Sequence, residues 1–189
     1  EPGSWSTVMC GAAFNGALCN NLVELLPDGS IAGDLAETWE GNTDATVWTF
    51  TLREGVTFHD GRPFTPEDAR QSLLHHMGAD STSGALAIVS QIAGIEIGEG
   101  SLVITLAQGN ADFPYLLSDY HLSIFPAREG GGIDWESGIG TGAFRLDSFE
   151  PGIAVALVRN PNYHKPGLPH FDAVEFINIP DSTARLNAL

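Results

Sequence analysis

Basic residues are scarce in this chain: lysine and arginine together number 8, and Lys165 is the sole lysine, against 24 aspartates and glutamates, for a formal net charge of −16 over 189 residues. Such a field repels phosphate backbones and anionic membrane surfaces, and no cluster of basic side chains interrupts it, so nucleic acid is excluded as a partner. The acidic residues are scattered rather than run together, as on a solvated surface tuned for solubility. Long apolar runs are missing too. No window approaches the roughly 18 uninterrupted apolar residues of a membrane span, and no charged head followed by an apolar core stands at the amino end. Cysteine is reduced to Cys10 and Cys19, too few for a disulfide framework and without the Cys/His spacing of a zinc site. If "STVMCGAAFNGALCNNLVEL" is helical, the two thiols lie on opposite faces about 13 Å apart. A bridge would need the helix to break at Gly11 or Gly16, so two buried thiols are expected.

What is present is a turn-rich globular composition. Apolar residues make up 43% and charged residues 17%, with 22 glycines and 11 prolines, which excludes disorder and fits a mixed fold. A chain of this length buries roughly 60 to 70% of its extended surface and holds one full core or two small ones. Residues about 5 to 20 read as a helix of small and apolar residues. "LVELL" follows as a short strand, closed by the Asp-Gly turn of "PDGS". In "VWTFTL", Trp48, Phe50 and Leu52 alternate with Val47, Thr49 and Thr51, the period of a half-buried strand. "REG" turns this into "VTF", predicting a hairpin over 47–58. "FTPEDARQSLLHHMG" carries the clearest helix. Thr65 is its N-cap, Pro66 takes the first helical position, Glu67 and Asp68 meet the positive end of the dipole, and Gly78 closes it; Ala69, Leu73 and Met77 form its buried stripe. A short helix in "GALAIVSQIAG" precedes a hairpin in "IEIGEGSLVITL" with its turn at 98–101. A short helix "FPYLLS", an extended "HLSIFPA" and a glycine-rich loop come next. Two strands meeting around 150–152 and a last strand "AVEFINI" complete the order.

The stretch "GIGTGAF" raises the question of a phosphate loop. Such a loop needs a helix after its glycines, so that backbone N–H groups converge on the anion. Here "AFRLDSF" follows with strand periodicity, its apolar positions Phe144, Leu146 and Phe149. The glycines therefore serve a sharp turn or a close backbone approach. His59 and Asp60 resemble half of a catalytic triad, yet an Asp-Gly turn between two elements explains both, and no nucleophile elbow completes them. His75 and His76 point about 100° apart on a helix and cannot share a metal, while the helix C-terminus suits histidine electrostatically. His164 and His170 lie in a proline-rich loop with no partner at ligand spacing. No residue is assigned a catalytic role, no metal ligand and no cofactor is expected, and the residues give no evidence for an enzyme.

"IPDSTARLNAL" has a proline stop, a cap at Asp181 and Ser182, and then about two helical turns, less than an isolated helix needs. Together with the start "EPGSW", which lacks a methionine, this suggests a fragment truncated at the carboxyl side or at both ends. Taken in order, "LVELLPDGSIAGDLAETWE", "VWTFTLREGVTFHDGRPFTPEDA", "GTGAFRL" and "VRNPNYH…FDAVEFINIPDSTARLNAL" resemble the family 5 extracellular solute-binding proteins of ABC importers, the dipeptide, oligopeptide and nickel group. The resemblance runs from about Leu22 to Leu189. One departure is Ala143 in "GTGAF", where many relatives have proline.

The resemblance implies an α/β (mixed α+β) periplasmic-binding-protein-like lobe, with a mixed β-sheet, flanking helices and an inserted smaller subdomain. Residues 1–41 and 140–189 would form the hinge-proximal subdomain and 42–139 the inserted outer one, the second lobe lying outside this chain. It further implies a monomeric receptor, periplasmic or tethered to the membrane from outside, that captures a solute, foremost a di- or oligopeptide, and delivers it to an ABC permease. Nickel chelates, oligosaccharides and opines are the alternatives within the family, and a hydrolase on a similar fold is the alternative outside it. Three loops would meet the ligand: Trp5, Ser6 and Thr7; Ser81, Thr82 and Ser83; and Tyr120, His121 and Leu122.

Overall fold

The computed structural model describes residues 16–78 and 81–187. The helix expected over 5–20 falls mostly outside them, and residues 16–18 are helical. Two antiparallel sheets dominate. The larger has the order β3(Ala36–Gly41), β4(Val47–Leu52), β6(Ser101–Leu106), β5(Ile92–Gly98), and the smaller the order β7(Phe144–Glu150), β8(Ala154–Arg159), β9(Ala173–Ile177). A separate hairpin of β1(Val23–Leu25) and β2(Ile31–Gly33) closes over the predicted turn, where Gly29 takes φ 85. The mixed α/β lobe expected from the sequence is what forms, and the named strand pairs are antiparallel.

Period-two patterning places the larger core. Leu102, Ile104 and Leu106 of β6 and Phe50 and Leu52 of β4 are buried, while the residues between them are less so. Helix α1(Pro66–His75) lies across β5 and β6 and buries Ala69 and Leu73 against them, with Met77 partly buried alongside. Its N-terminus forms as read, with Thr65 extended at the N-cap and Pro66 in the first turn. Asp68 also binds a distant segment, since one carboxylate oxygen accepts the Thr65 N–H at 2.7 Å and the other accepts the Ala127 N–H at 2.7 Å. The short helices α2(Leu86–Val89) and α3(Phe113–Leu116) add Val89 and Phe113 to this core.

Three expectations change. "HLSIFPA", read as extended, begins inside a 3-10 turn over Tyr120–Leu122, closed by the Leu122 N–H donating to Asp119 O. The hairpin predicted over 47–58 does not form: β4 pairs with β3 on one side and β6 on the other. "VTF" instead folds onto its own downstream residues, with Thr57 bridging Pro63 and the Phe58 N–H donating to Arg62 O. The long-range partner wins because β4, apolar on alternate residues, becomes an interior strand. Strand β3 was not foreseen, since "AETWEG" has no alternating apolar face. It is an edge strand, exposed at four of its six residues.

The smaller sheet packs Phe144, Val155 and Leu157 against Leu18 and Cys19. A bulge between Leu146 and Ser148 corrects the parity of β7, so that Leu146 and Phe149, three apart, both pack on this cluster. Cys19 is a buried free thiol, as expected for it, and burial pushes its pKa up to about 12; Cys10 lies outside the described residues. Helix α4(Ser182–Asn187) starts where read, with the Asp181 carboxylate accepting the Ala184 N–H.

Candidate functional site

The crossing between the two sheets explains "GIGTG". Residues 140–142 run directly against the backbone of 17–18, and the Gly142 N–H donates to Leu18 O at 2.8 Å. A Cβ on Gly142 would stand 2.5 Å from Ala17 O and 2.6 Å from Leu18 O, and one on Gly140 would stand 2.8 Å from the Cys19 sulfur. These glycines permit a close backbone approach, and no helix follows them. His59 fastens the same crossing. Its N–H donates to Gly140 O, its Nδ1 accepts the Gly140 N–H at 3.2 Å, and its Nε2 lies 3.1 Å from Gly142 O. Asp60 is engaged with Arg62 across the turn that the sequence places here.

A buried polar network ties residues 20–34 to residues 141–165. The Asp34 carboxylate accepts from the Asn20 amide at 2.9 Å, from His164 Nε2 at 3.2 Å and from Lys165 Nζ at 2.9 Å. Lys165 also meets Glu24 at 2.7 Å. Asn20 reaches Tyr163 and accepts from Thr141. Burial pushes the Asp34 pKa up, but the hydrogen bond from His164 and the charge and hydrogen bond of Lys165 outweigh it and hold the carboxyl below its usual range. The histidine that lacked an acidic partner in sequence has one in space, 130 residues away. No group of three His, Cys, Asp or Glu side chains that could hold a metal occurs among the described residues.

Two of the three loops expected to meet ligand come together beyond the C-terminus of α1. His76 is the joint. Its Nδ1 lies 2.7 Å from Ser83 Oγ, which in turn accepts the Ala85 N–H. His121 lies over Gly84, where a Cβ would stand 2.6 Å from its Nε2. The Asp119 carboxylate accepts both the backbone N–H of His121 at 2.9 Å and its Nδ1–H at 2.7 Å, which fixes the ring's orientation. Tyr120 stacks on that ring at 3.9 Å and is exposed, as is Thr82. Asn21 braces the second loop by donating to Asp119 O and Leu117 O.

The side chains do not all face outward. Leu122 is 2% exposed and belongs to the larger core, so this position can offer a ligand only its backbone. Trp5, Ser6 and Thr7 lie outside the described residues. The helix-terminal reading of His76 as a favourable cation is corrected: burial first, then the neighbouring His75 and His121, lower its pKa to about 4 against the opposing pull of Asp119, so the ring is neutral near pH 7. Its link to Ser83, seven residues on, had no periodic signal. Gly84 as the seat of an imidazole had none either.

The architecture agrees with known proteins. The family described as bacterial extracellular solute-binding proteins, family 5 Middle, matches residues 30–189. YhjP of Bacillus subtilis is 37% identical over 145 residues, covering 76% of this chain and 24% of its own. The "Probable D,D-dipeptide-binding periplasmic protein DdpA" of Escherichia coli is 31% identical over 178 residues, covering 87% of this chain and 34% of its own. This chain thus spans about a quarter to a third of these relatives. Among solved structures, AgaA of A. tumefaciens R10 in complex with agropinic acid superposes on all of this chain and 40% of its own, with TM-score 0.90 and 27% identity. The chain belongs to the family 5 bacterial extracellular solute-binding proteins.

Proposed function

We propose that this chain is the first lobe of the substrate-binding component of an ABC importer, and that the loops at 81–83 and 120–122, with Trp5–Thr7, form its share of the ligand cleft. The observation that carries the reading is the convergence of two sequence-distant loops through His76, Ser83, Gly84 and His121, within a chain of this family. Residues 1–41 and 140–189 would form the hinge-proximal part and 42–139 the inserted part, with β3 joining the sheet of the inserted part. The work is binding without chemistry: closure of two lobes is favoured only to the extent that the ligand contacts both. The receptor would act outside the cytoplasmic membrane as a monomer and hand its solute to the permease.

A di- or oligopeptide is the leading solute class, supported by the kinship with DdpA. An opine is the second reading, favoured by the superposition on AgaA. Thermal-shift screening of the two-lobed parent protein against di- and tripeptides, opines, oligosaccharides and nickel chelates tests both, since a ligand that binds only the native state raises Tm. Peptides are expected to give the largest shift. No shift with any class, or turnover of a peptide on incubation, would sink the reading. This chain alone is expected to bind none of them at micromolar concentration, because it offers one wall of the cleft.

A further inference from the structure

His59 stands where the turn before α1 meets the crossing between the sheets, and its ring is gripped at both nitrogens. Nδ1 accepts the Gly140 N–H, so its lone pair faces a donor; the ring proton must then sit on Nε2, which donates to Gly142 O. Only a neutral ring in this one tautomer satisfies both contacts. A second proton, placed on Nδ1, would set two N–H groups against each other.

We propose that His59 is a proton-operated latch: neutral, its ring helps fasten residues 56–64 to the Gly-Thr-Gly crossing, and protonated, the ring lets go of the Gly140 N–H. The charged groups that act on the ring are few. Arg145 of β7 opposes protonation and Asp60 favours it, but burial opposes it most and holds the ring's pKa below the ordinary histidine value. Cys19, beside Gly140, is a neutral thiol and adds no charge. The Gly142 carbonyl keeps a second donor, the Asn160 amide at 2.9 Å, the Gly142 N–H stays on Leu18 O, and the His59 backbone N–H still donates to Gly140 O, so the release is centred on the Gly140 N–H. The crossing is the covalent path from the larger sheet to the smaller one, and a proton at His59 therefore softens the joint between them. The latch does not depend on which solute is bound.

The test follows the imidazole nitrogens and the Gly140 amide by NMR on this chain, from about pH 7.5 down to about pH 4.5. The Nε2–H tautomer is expected at the upper end. As the ring titrates, protection of the Gly140 amide, corrected for intrinsic exchange, should fall by about tenfold or more, while that of Ile104 in β6 holds. H59Q should abolish the pH dependence at Gly140. An Nδ1–H tautomer near neutrality, Gly140 protection that stays flat through the titration, or a pH dependence that survives in H59Q would overturn the latch. If H59Q fails to fold, the wild-type tautomer and titration still decide.

Discussion

Replacing Gly142 by alanine adds one methyl group at the most crowded backbone contact of the crossing. The new Cβ would stand 2.5 Å from Ala17 O and 2.6 Å from Leu18 O, atoms of a backbone that cannot rotate away. Reaching an ordinary separation of about 3.5 Å requires the two chain segments to part by roughly 1 Å. That movement stretches the 2.8 Å bond from Gly142 N–H to Leu18 O and disturbs the two donors on Gly142 O, His59 Nε2 and the Asn160 amide. Three hydrogen bonds at about 0.5–1.5 kcal/mol each give an expected loss of roughly 1.5–4.5 kcal/mol. This is a large share of a typical domain's 5–15 kcal/mol or so. Urea unfolding of both proteins measures it from the midpoint at constant m. Gly94→Ala is the control, because a Cβ there meets nothing within 4 Å, and it should lie within about 1 kcal/mol of wild type. A G142A protein as stable as the control would refute the close-approach account of "GTG".

Asp34→Ala removes the shared acceptor of Asn20, His164 and Lys165, and should lower stability by about 3–5 kcal/mol in the same urea assay. The wild-type carboxyl, held below its usual range, contributes stability that is present above the unfolded pKa and lost as pH falls through the folded one. His76 acts higher on the scale. Its folded pKa of about 4 lies below the ordinary 6.5, so between those values the unfolded chain binds more protons and stability falls with falling pH. H76Q should flatten the part of that slope due to this ring, read from urea midpoints at several pH values; an unchanged slope would contradict it.

Much of this fold was legible because its signals are local. Helix α1 announces itself through Thr65, Pro66 and Asp68, the turn of the β5–β6 hairpin through its glycines, and β7 through Phe144 and Leu146. The failure at 47–58 was one of partner choice. A short loop after β4 suggested the nearest neighbour, whereas the burial of Phe50 and Leu52 on an interior strand demanded β6, far along the chain. Strand β3 escaped because an edge strand needs no apolar alternation. At the candidate site, positions 81–83 and 120–122 follow from resemblance, while the contact between them exists only in the folded chain. A contact such as His76 to Ser83 depends on where a loop turns back, and His121 over Gly84 depends on a missing side chain. The same holds for Asp34 and His164, whose pairing is a property of the closed fold.

Asn20 has one side-chain amide and spends it on three distant stretches of chain: Asp34, Thr141 and Tyr163. One side chain thereby holds the fold together from several directions at once. Any substitution at one of those four positions would ask for compensation at the others, whereas Thr82 and Tyr120 stand at the surface, outside that obligation. The exposed loops and this keystone are thus separate parts of the fold, and the first can be altered without touching the second.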